Sequence, residues 1–206
     1  MKKYLVILAC LMLLAPVAFG EVLTGAIPNS PGAWTFALFT ARQSNVGNIG
    51  SLYQSLNGMS VGYGLVDKLQ ANLVYENGVF GGIPGYDMTM NSYTLAFVYN
   101  LIMESGAFPV SVAINPSVSL LSQSDSTSGS SYSLGIVASK MIGKFMPYLS
   151  LAYADTNLGG ESSEVDLTAG GTWLATDHIA VVAENTWQFE NGYTTGRWSL
   201  CLAYSL

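Results

Sequence analysis

Apolar and polar residues alternate one by one along most of the chain, most clearly in the last ten residues, "RWSLCLAYSL". Large apolar side chains occupy every second position there, and the residues between them are mostly small. A period of two places successive side chains on opposite faces of a β-strand. A helical period is hard to find, and the alternation predicts ten strands. They span residues 33–42, 53–65, 69–80, 90–101, 109–121, 132–139, 145–155, 164–174, 179–189 and 195–206.

Turn chemistry fixes the register of the last predicted hairpin. Asn191-Gly192 is the strongest two-residue hairpin signal, because both residues tolerate the positive φ angles of a type I′ turn. A turn centred there places Thr186 opposite Arg197. The alternation within each strand independently assigns these two residues to the same face, as cross-strand partners require.

The stretch "GYGLVDKLQANLVYE" passes the same test with a three-residue turn at 66–68. This turn predicts that Leu65 lies opposite Leu69 and that Tyr63 lies opposite Ala71. Apolar residues again meet apolar residues on one face, so the two strands are predicted to form a second antiparallel hairpin.

The predicted connections alternate in length. Those after strands 2, 4, 6 and 8 are compact and cover residues 66–68, 102–108, 140–144 and 175–178. Most of the others are longer and polar or glycine-rich, at residues 43–52, 77–89, 122–131 and 156–163. Residues 21–32 form a lead-in to the first strand, and we find no domain boundary after it.

One face of the predicted strands carries the bulky residues, and the other carries mostly Ser, Gly, Thr, Ala and Asn. In a soluble secreted β-sandwich the bulky face would form the core, and this interpretation stays open. Aromatic residues, however, cluster near both ends of the strands, as in the two interfacial girdles of a membrane barrel. The other face has few long charged residues, which suits the inside of a narrow barrel better than a solvated surface.

The first 20 residues, "MKKYLVILACLMLLAPVAFG", predict a secretory signal peptide. Two lysines precede an apolar run that ends in small residues, and cleavage after Gly20 leaves a single domain of 186 residues, 21–206. A lipoprotein signal cut before Cys10 is the alternative. Without Lys2 and Lys3 the seven basic residues fall to five against 13 acidic ones, a formal net charge of −8. That balance argues against nucleic acid as a partner, and a single remaining cysteine excludes an internal disulfide.

Over its mature length the chain resembles the bacterial outer-membrane β-barrel proteins. The resemblance rests on the signal peptide, the alternating turn and loop lengths, and the final strand, although Leu206 stands where that class usually ends in Phe. It implies an all-β, ten-stranded antiparallel up-and-down transmembrane barrel in the lipid bilayer of the outer membrane. The short turns would face the periplasm, and the last strand would engage the barrel-assembly machinery. Pro116 and Pro147 fall inside predicted strands, where each removes a ladder donor, so we expect bulges or strand ends there.

Charged residues of the inner face gather on the last three predicted strands. Keeping Trp173 and Ile179 on one face requires an odd-length turn, which we centre on Thr176. Thr168 then lies opposite Glu184.

Asp166 and Arg197 lie diagonal to Glu184 from the two neighbouring strands in this register. The candidate lumen residues are Glu76, Glu164, Asp166, Glu184 and Arg197. They form either a salt-bridge network that stiffens the wall or a charged constriction that favours cations, and both interpretations remain open.

The other inward residues are too small to fill a ten-stranded tube, because about eight strands are just filled by side chains. The sequence therefore predicts a narrow, porin-like passage for water and small, preferably cationic, solutes. The alternative within the same fold is a non-conducting barrel that presents its loops.

The sequence predicts no catalytic, cofactor or metal site. The only histidine, His178, falls in a short turn, and Cys201 faces inward by its parity. The oligomeric state stays open.

Overall fold

The structure is a computed structural model that describes residues 29–44, 53–83, 86–125, 127–190 and 193–206. The predicted signal peptide lies outside these residues. All ten predicted strands are confirmed, with ends shifted by a few residues. They are β1 (Trp34–Ser44), β2 (Tyr53–Val66), β3 (Leu69–Ile83), β4 (Tyr86–Ile102), β5 (Ser111–Gln123), β6 (Ser128–Ser139), β7 (Phe145–Asn157), β8 (Glu161–Leu174), β9 (Ile179–Glu190) and β10 (Tyr193–Ser205).

The strands form one closed antiparallel barrel in which each strand pairs with its neighbours in the chain and β1 pairs with β10. We call the end where β1 begins and β10 ends the terminal end, and the opposite end the hairpin end. Closure pairs the backbone of every strand on both sides, as a sheet in lipid requires. Among the described residues, no helix is long and apolar enough to cross a bilayer.

Hairpin registers follow the turn signals closely. Thr186 pairs with Arg197, as the Asn-Gly turn predicts. Tyr63 pairs with Ala71, but the prediction that Leu65 lies opposite Leu69 is wrong, because Val66 pairs with Leu69 instead. A two-residue turn closes this hairpin more tightly than predicted, and the extra residue is absorbed as a bulge between Gly64 and Val66.

The predicted long loops at the hairpin end are largely strand. β3 and β4 are separated by two residues, 84–85, whereas 124–127 join β5 to β6 and 158–160 join β7 to β8. Polar and glycine-rich residues continue the strands there, because the backbone hydrogen bonds between strands do not depend on side-chain polarity where both faces of a hairpin are exposed to water. The longest described connection, 103–110, lies at the terminal end. The predicted contrast in loop length is therefore wrong for these connections, and most of the predicted 43–52 loop lies outside the described residues.

The face of the sheet that carries the bulky residues points outward, away from the lumen of the barrel. Leu73 and Tyr93 keep 63% and 59% of their surface exposed, whereas inward-facing Val98 and Val137 are buried. The soluble β-sandwich interpretation is wrong, because a single closed sheet turns its bulky face outward instead of burying it against a second sheet.

Aromatic pairs mark both ends of this apolar outer surface. Tyr75 and Tyr93 lie 5.1 Å apart between ring centroids towards the hairpin end. Directly beyond them the outward positions become polar, and the Asn77 amide donates a hydrogen bond to Asn91 at 3.0 Å. At the terminal end the Trp34 ring lies 4.6 Å from that of Tyr63, part of the second band. The two bands are those that the sequence predicts.

Both strand prolines interrupt pairing on one side. The β4–β5 ladder lacks pairs at Asn115 and Pro116, and a bulge between Asn100 and Ile102 follows. Pro147 lies just past the last β6–β7 pair, Ser139 with Tyr148. Both prolines lie inside their strands, and the bulge falls opposite Ala113 and Val112, so the expectation of bulges or strand ends at the prolines is wrong; each proline coincides only with missing pairs on one side of its strand.

Candidate functional site

A polar cavity of about 360 Å³ occupies the half of the barrel nearer the hairpin end. We call this cavity the vestibule. Gln54 and Glu190 line it near the hairpin end, and Asn115 and Ala152 line it deep in the barrel. Serine, threonine, asparagine and glutamine make up much of the remaining wall. The small inward residues predicted from the sequence thus leave an open space in this half.

Asp166 and Arg197 form an ion pair at the inner part of the vestibule. An Asp166 carboxylate oxygen lies 3.8 Å from a terminal nitrogen of the Arg197 guanidinium. The pair bridges β8 and β10 across β9, where Thr186 is the cross-strand partner of Arg197. Within the described ranges, Asp166 Oδ1 and Arg197 Nε have no hydrogen-bond partner. The pair therefore keeps hydrogen-bonding capacity on both sides.

The β8–β9 register differs by two residues from the predicted one. Thr168 pairs with Thr186, and Glu184 pairs with Gly170, so the predicted placement of Thr168 opposite Glu184 is wrong. The hydroxyl of Thr176 accepts hydrogen bonds from the backbone N–H groups of the residues two and three positions later, at 3.2 and 3.0 Å. This local turn shifts the centre of the connection one residue beyond Thr176.

Glu184 lies deeper than the vestibule, 7% exposed. The Tyr148 hydroxyl donates a hydrogen bond to one carboxylate oxygen, and the Ser199 hydroxyl donates to the other at 2.7 Å. Gly170 makes this possible, because a Cβ there would fall 2.6 Å from the Tyr148 ring. Sequence reasoning missed Tyr148, although its inward parity opposite a glycine was a usable signal.

The other two candidate residues line the vestibule. Glu164 lies on β8, where the Gln188 amide donates a hydrogen bond to its carboxylate at 3.3 Å. Glu76 lies on β3, which is five strands from β8 in the closed ring of ten and so on the opposite wall. The structure therefore places Glu76, Glu164, Asp166 and Arg197 around the vestibule and Glu184 beneath it.

A second cavity of about 10 Å³, roughly the size of one water molecule, separates these two levels. Its lining includes Asp166 and Arg197 on one side and Tyr148 and Glu184 on the other. A polar space the size of one water molecule thus lies inward of the vestibule, and packed side chains lie beyond it.

A packed layer fills the terminal half of the lumen. Phe39, Val98, Val137 and Val182 point inward and are buried. The described part of the chain therefore contains a vestibule closed at its inner end, and the predicted continuous thread of water is wrong for this conformation. The prediction relied on small inward residues, but larger inward side chains lie among them and fill the space, as Phe39 does opposite Gly58 on the neighbouring strand.

The mouth at the terminal end is also covered. Asn29 precedes β1 and does not take part in the strand pairing. Its backbone N–H donates a hydrogen bond to the Gln70 side-chain oxygen at 2.8 Å. The Asn29 amide donates to the Thr35 hydroxyl at 2.6 Å. The described end of the lead-in therefore lies across this mouth.

His178 and Cys201 take structural positions. An imidazole nitrogen of His178 lies 2.9 Å from the backbone oxygen of Ser205, which ties the β8–β9 connection to the final strand. Cys201 is buried in the packed core of the lumen, with the inward orientation that its parity predicts. Within the described ranges, no group of three or more His, Cys, Asp or Glu residues is arranged to hold a metal.

The chain matches no protein-family model and no curated protein sequence. Solved structures do resemble it. An outer membrane channel from Pseudomonas putida superposes with a TM-score of 0.60 and 9% identity, over 91% of this chain and 100% of that chain. The β domain of the Bordetella autotransporter BrkA superposes with a TM-score of 0.56 and 14% identity, over 86% and 99%. At these identities the likeness concerns the fold, and the chain has the fold of the bacterial outer-membrane β-barrels.

Proposed function

We propose that this protein is an integral outer-membrane barrel, exported through a cleaved signal peptide and surrounded by the outer-membrane lipid bilayer. The exposed bulky face and its two aromatic bands support this location, because water would leave that apolar surface unfavourably hydrated. The final strand, which runs to Ser205, is the element that we expect the barrel-assembly machinery to engage.

We further propose a transport role, in which the vestibule admits water and small, preferably cationic, solutes. The observation that carries this proposal is the vestibule wall, where Glu76, Glu164, Asp166 and Glu190 outnumber Arg197, the one basic residue that lines it within the described part of the chain. Carboxylates in a narrow space with low-dielectric walls raise the local concentration of cations. We propose no catalytic role for these residues.

Passage beyond the vestibule requires the packed layer to open. In the described conformation Val137 and Val182 are buried in that layer, so we expect small and intermittent conductance. A second candidate function follows from the same layer: a permanently closed barrel that presents its hairpins to a ligand or partner at the cell surface.

Planar-bilayer recording on the refolded full chain separates the two candidates. Wild-type protein should give rare, small openings, and the Val137→Ala/Val182→Ala variant should open more often because the packed layer loses volume. The matched control removes two outward-facing side chains, in Val118→Ala/Val165→Ala, and should behave as wild type. Heat-modifiable migration on a denaturing gel would verify folding of each sample.

Reversal potentials in a salt gradient test the preference for cations. The preference should fall in Glu76→Gln/Asp166→Asn and should shrink as salt increases, since screening shortens the reach of each charge. Folded wild type and Val137→Ala/Val182→Ala that both stay silent would support the closed, hairpin-presenting barrel instead.

A further inference from the structure

A buried polar side chain, that of Asn115, lies at the floor of the vestibule. Asn115 is 4% exposed, and among the residues that the structure describes neither its amide nitrogen nor its amide oxygen has a hydrogen-bond partner. A buried polar group in this state is destabilising, and few occur in a folded chain. Asn115 lines the vestibule, so a molecule held there can satisfy both atoms.

A trough of small residues leads from Asn115 to the ion pair. Asn115 pairs with Gly135 on β6, which pairs with Ala152 on β7, which pairs with Asp166 on β8. A Cβ added to Gly135 would lie 3.3 Å from the Cβ of Ala152 and 3.6 Å from that of Asn115, so it would touch both neighbours and narrow the trough. Its two ends therefore carry the unsatisfied Asn115 amide and the unpartnered Asp166 Oδ1.

The charge around this trough is mainly negative. Glu76, Glu164, Asp166 and Glu190 line the vestibule together with Arg197. The connections at the hairpin end, including those outside the described residues, contain no lysine or arginine in the sequence. The described lining of the vestibule thus carries more carboxylates than basic groups, which favours a cation.

We propose that the vestibule is a binding site for a small linear ammonium compound that also carries a hydroxyl or carbonyl oxygen. The ammonium group would lie at Asp166, and the oxygen-bearing end would lie at Asn115, whose amide can both donate and accept. The cavity of about 360 Å³ is large enough for a molecule of this class and falls at the small end of the roughly 300–1,000 Å³ range of ligand pockets. This inference rests on the proposed function, because it identifies where a cationic solute would be held.

Calorimetric titration of the refolded full chain in lipid nanodiscs tests the site without requiring conduction. The probe is 4-aminobutan-1-ol, and its matched controls are butane-1,4-diol, without charge, and 4-hydroxybutyrate, with the opposite charge. The amino alcohol should bind saturably, more weakly as salt increases, and neither control should compete with it. Asn115→Ala and Asp166→Asn should each weaken binding about tenfold, equivalent to about 1.4 kcal/mol.

The control variant is Asn77→Ala, because Asn77 lies on the outer surface and its loss should leave binding unchanged. Folding of every variant is checked by heat-modifiable migration, so a misfolded sample is replaced by the milder Asn115→Ser before it is scored. Equal binding of the neutral diol, or wild-type affinity in folded Asn115 variants, would overturn the site. Cation-preferring conductance without binding of the amino alcohol would overturn this inference alone. Binding to a barrel that never conducts would overturn only the proposed passage of solutes.

Discussion

Leu73 tests whether lipid surrounds the barrel, because its side chain points outward and is 63% exposed. Its cross-strand partners are Val61 and Leu95, both on the outward apolar face, so the site lies well inside the apolar surface. Leu73→Ala removes three carbon groups, worth about 0.8 kcal/mol each when they leave water. If lipid covers the exposed part, the loss in unfolding free energy should be about 2.4 kcal/mol. If water surrounds the barrel, only the third of the side chain that the protein covers contributes, and the expected loss in unfolding free energy is about 0.9 kcal/mol.

Leu73→Arg should cost roughly 2–4 kcal/mol if the position lies near the bilayer midplane. The assay is urea unfolding of the refolded protein in lipid vesicles, followed by tryptophan fluorescence. The inward control is Thr94→Ser, which keeps the hydroxyl that lies 2.7 Å from that of Ser119 and should be nearly neutral. A loss near 0.9 kcal/mol for Leu73→Ala, together with tolerance of arginine, would refute the placement of this face in lipid.

Two further predictions concern the lumen and the orientation. Tyr148→Phe removes a donor from the buried Glu184 carboxyl and should lower the unfolding free energy by about 1–3 kcal/mol in the same assay; an unchanged midpoint would mean that Glu184 finds another donor. Epitope tags inserted at 124–127 should be accessible to antibody on intact cells, and tags at 67–68 should not, because the chain termini of an even-stranded barrel face the periplasm. The reverse labelling would invert the proposed orientation.

The parts of the fold that could be predicted from the sequence depend on local signals. The period of two identifies each strand, and the Asn-Gly turn alone sets the pairing of Thr186 with Arg197. The β8–β9 register escaped prediction because it depends on how the Thr176 hydroxyl binds nearby backbone N–H groups, a choice that the alternation does not encode. A shift of two residues preserves the faces, so the hydrophobic pattern cannot detect it.

The sequence predicted which residues form the candidate site but not how deep in the barrel each of them lies. The parity of the strands identifies which charged residues point inward, but the levels of Asp166 and Glu184 depend on the β8–β9 register. The packed layer depends on which large inward residue lies opposite which small one on the neighbouring strand, as Tyr148 lies opposite Gly170. That pairing joins neighbouring strands whose register is set by their own connections, so composition alone does not determine whether the tube is filled.

The pairing of β1 with β10 has a kinetic consequence. Every other ladder joins consecutive strands, so the sheet can grow one hairpin at a time from contacts that are close in sequence. The seam instead joins residues as distant as Thr35 and Ser205, 170 positions apart, whose hydroxyls lie 3.2 Å from each other. Such distant contacts are slow to form because the intervening chain must be ordered first. Closure of the seam is therefore the expected rate-limiting step of assembly, and substitutions along it should slow folding more than equally destabilising substitutions in the hairpins.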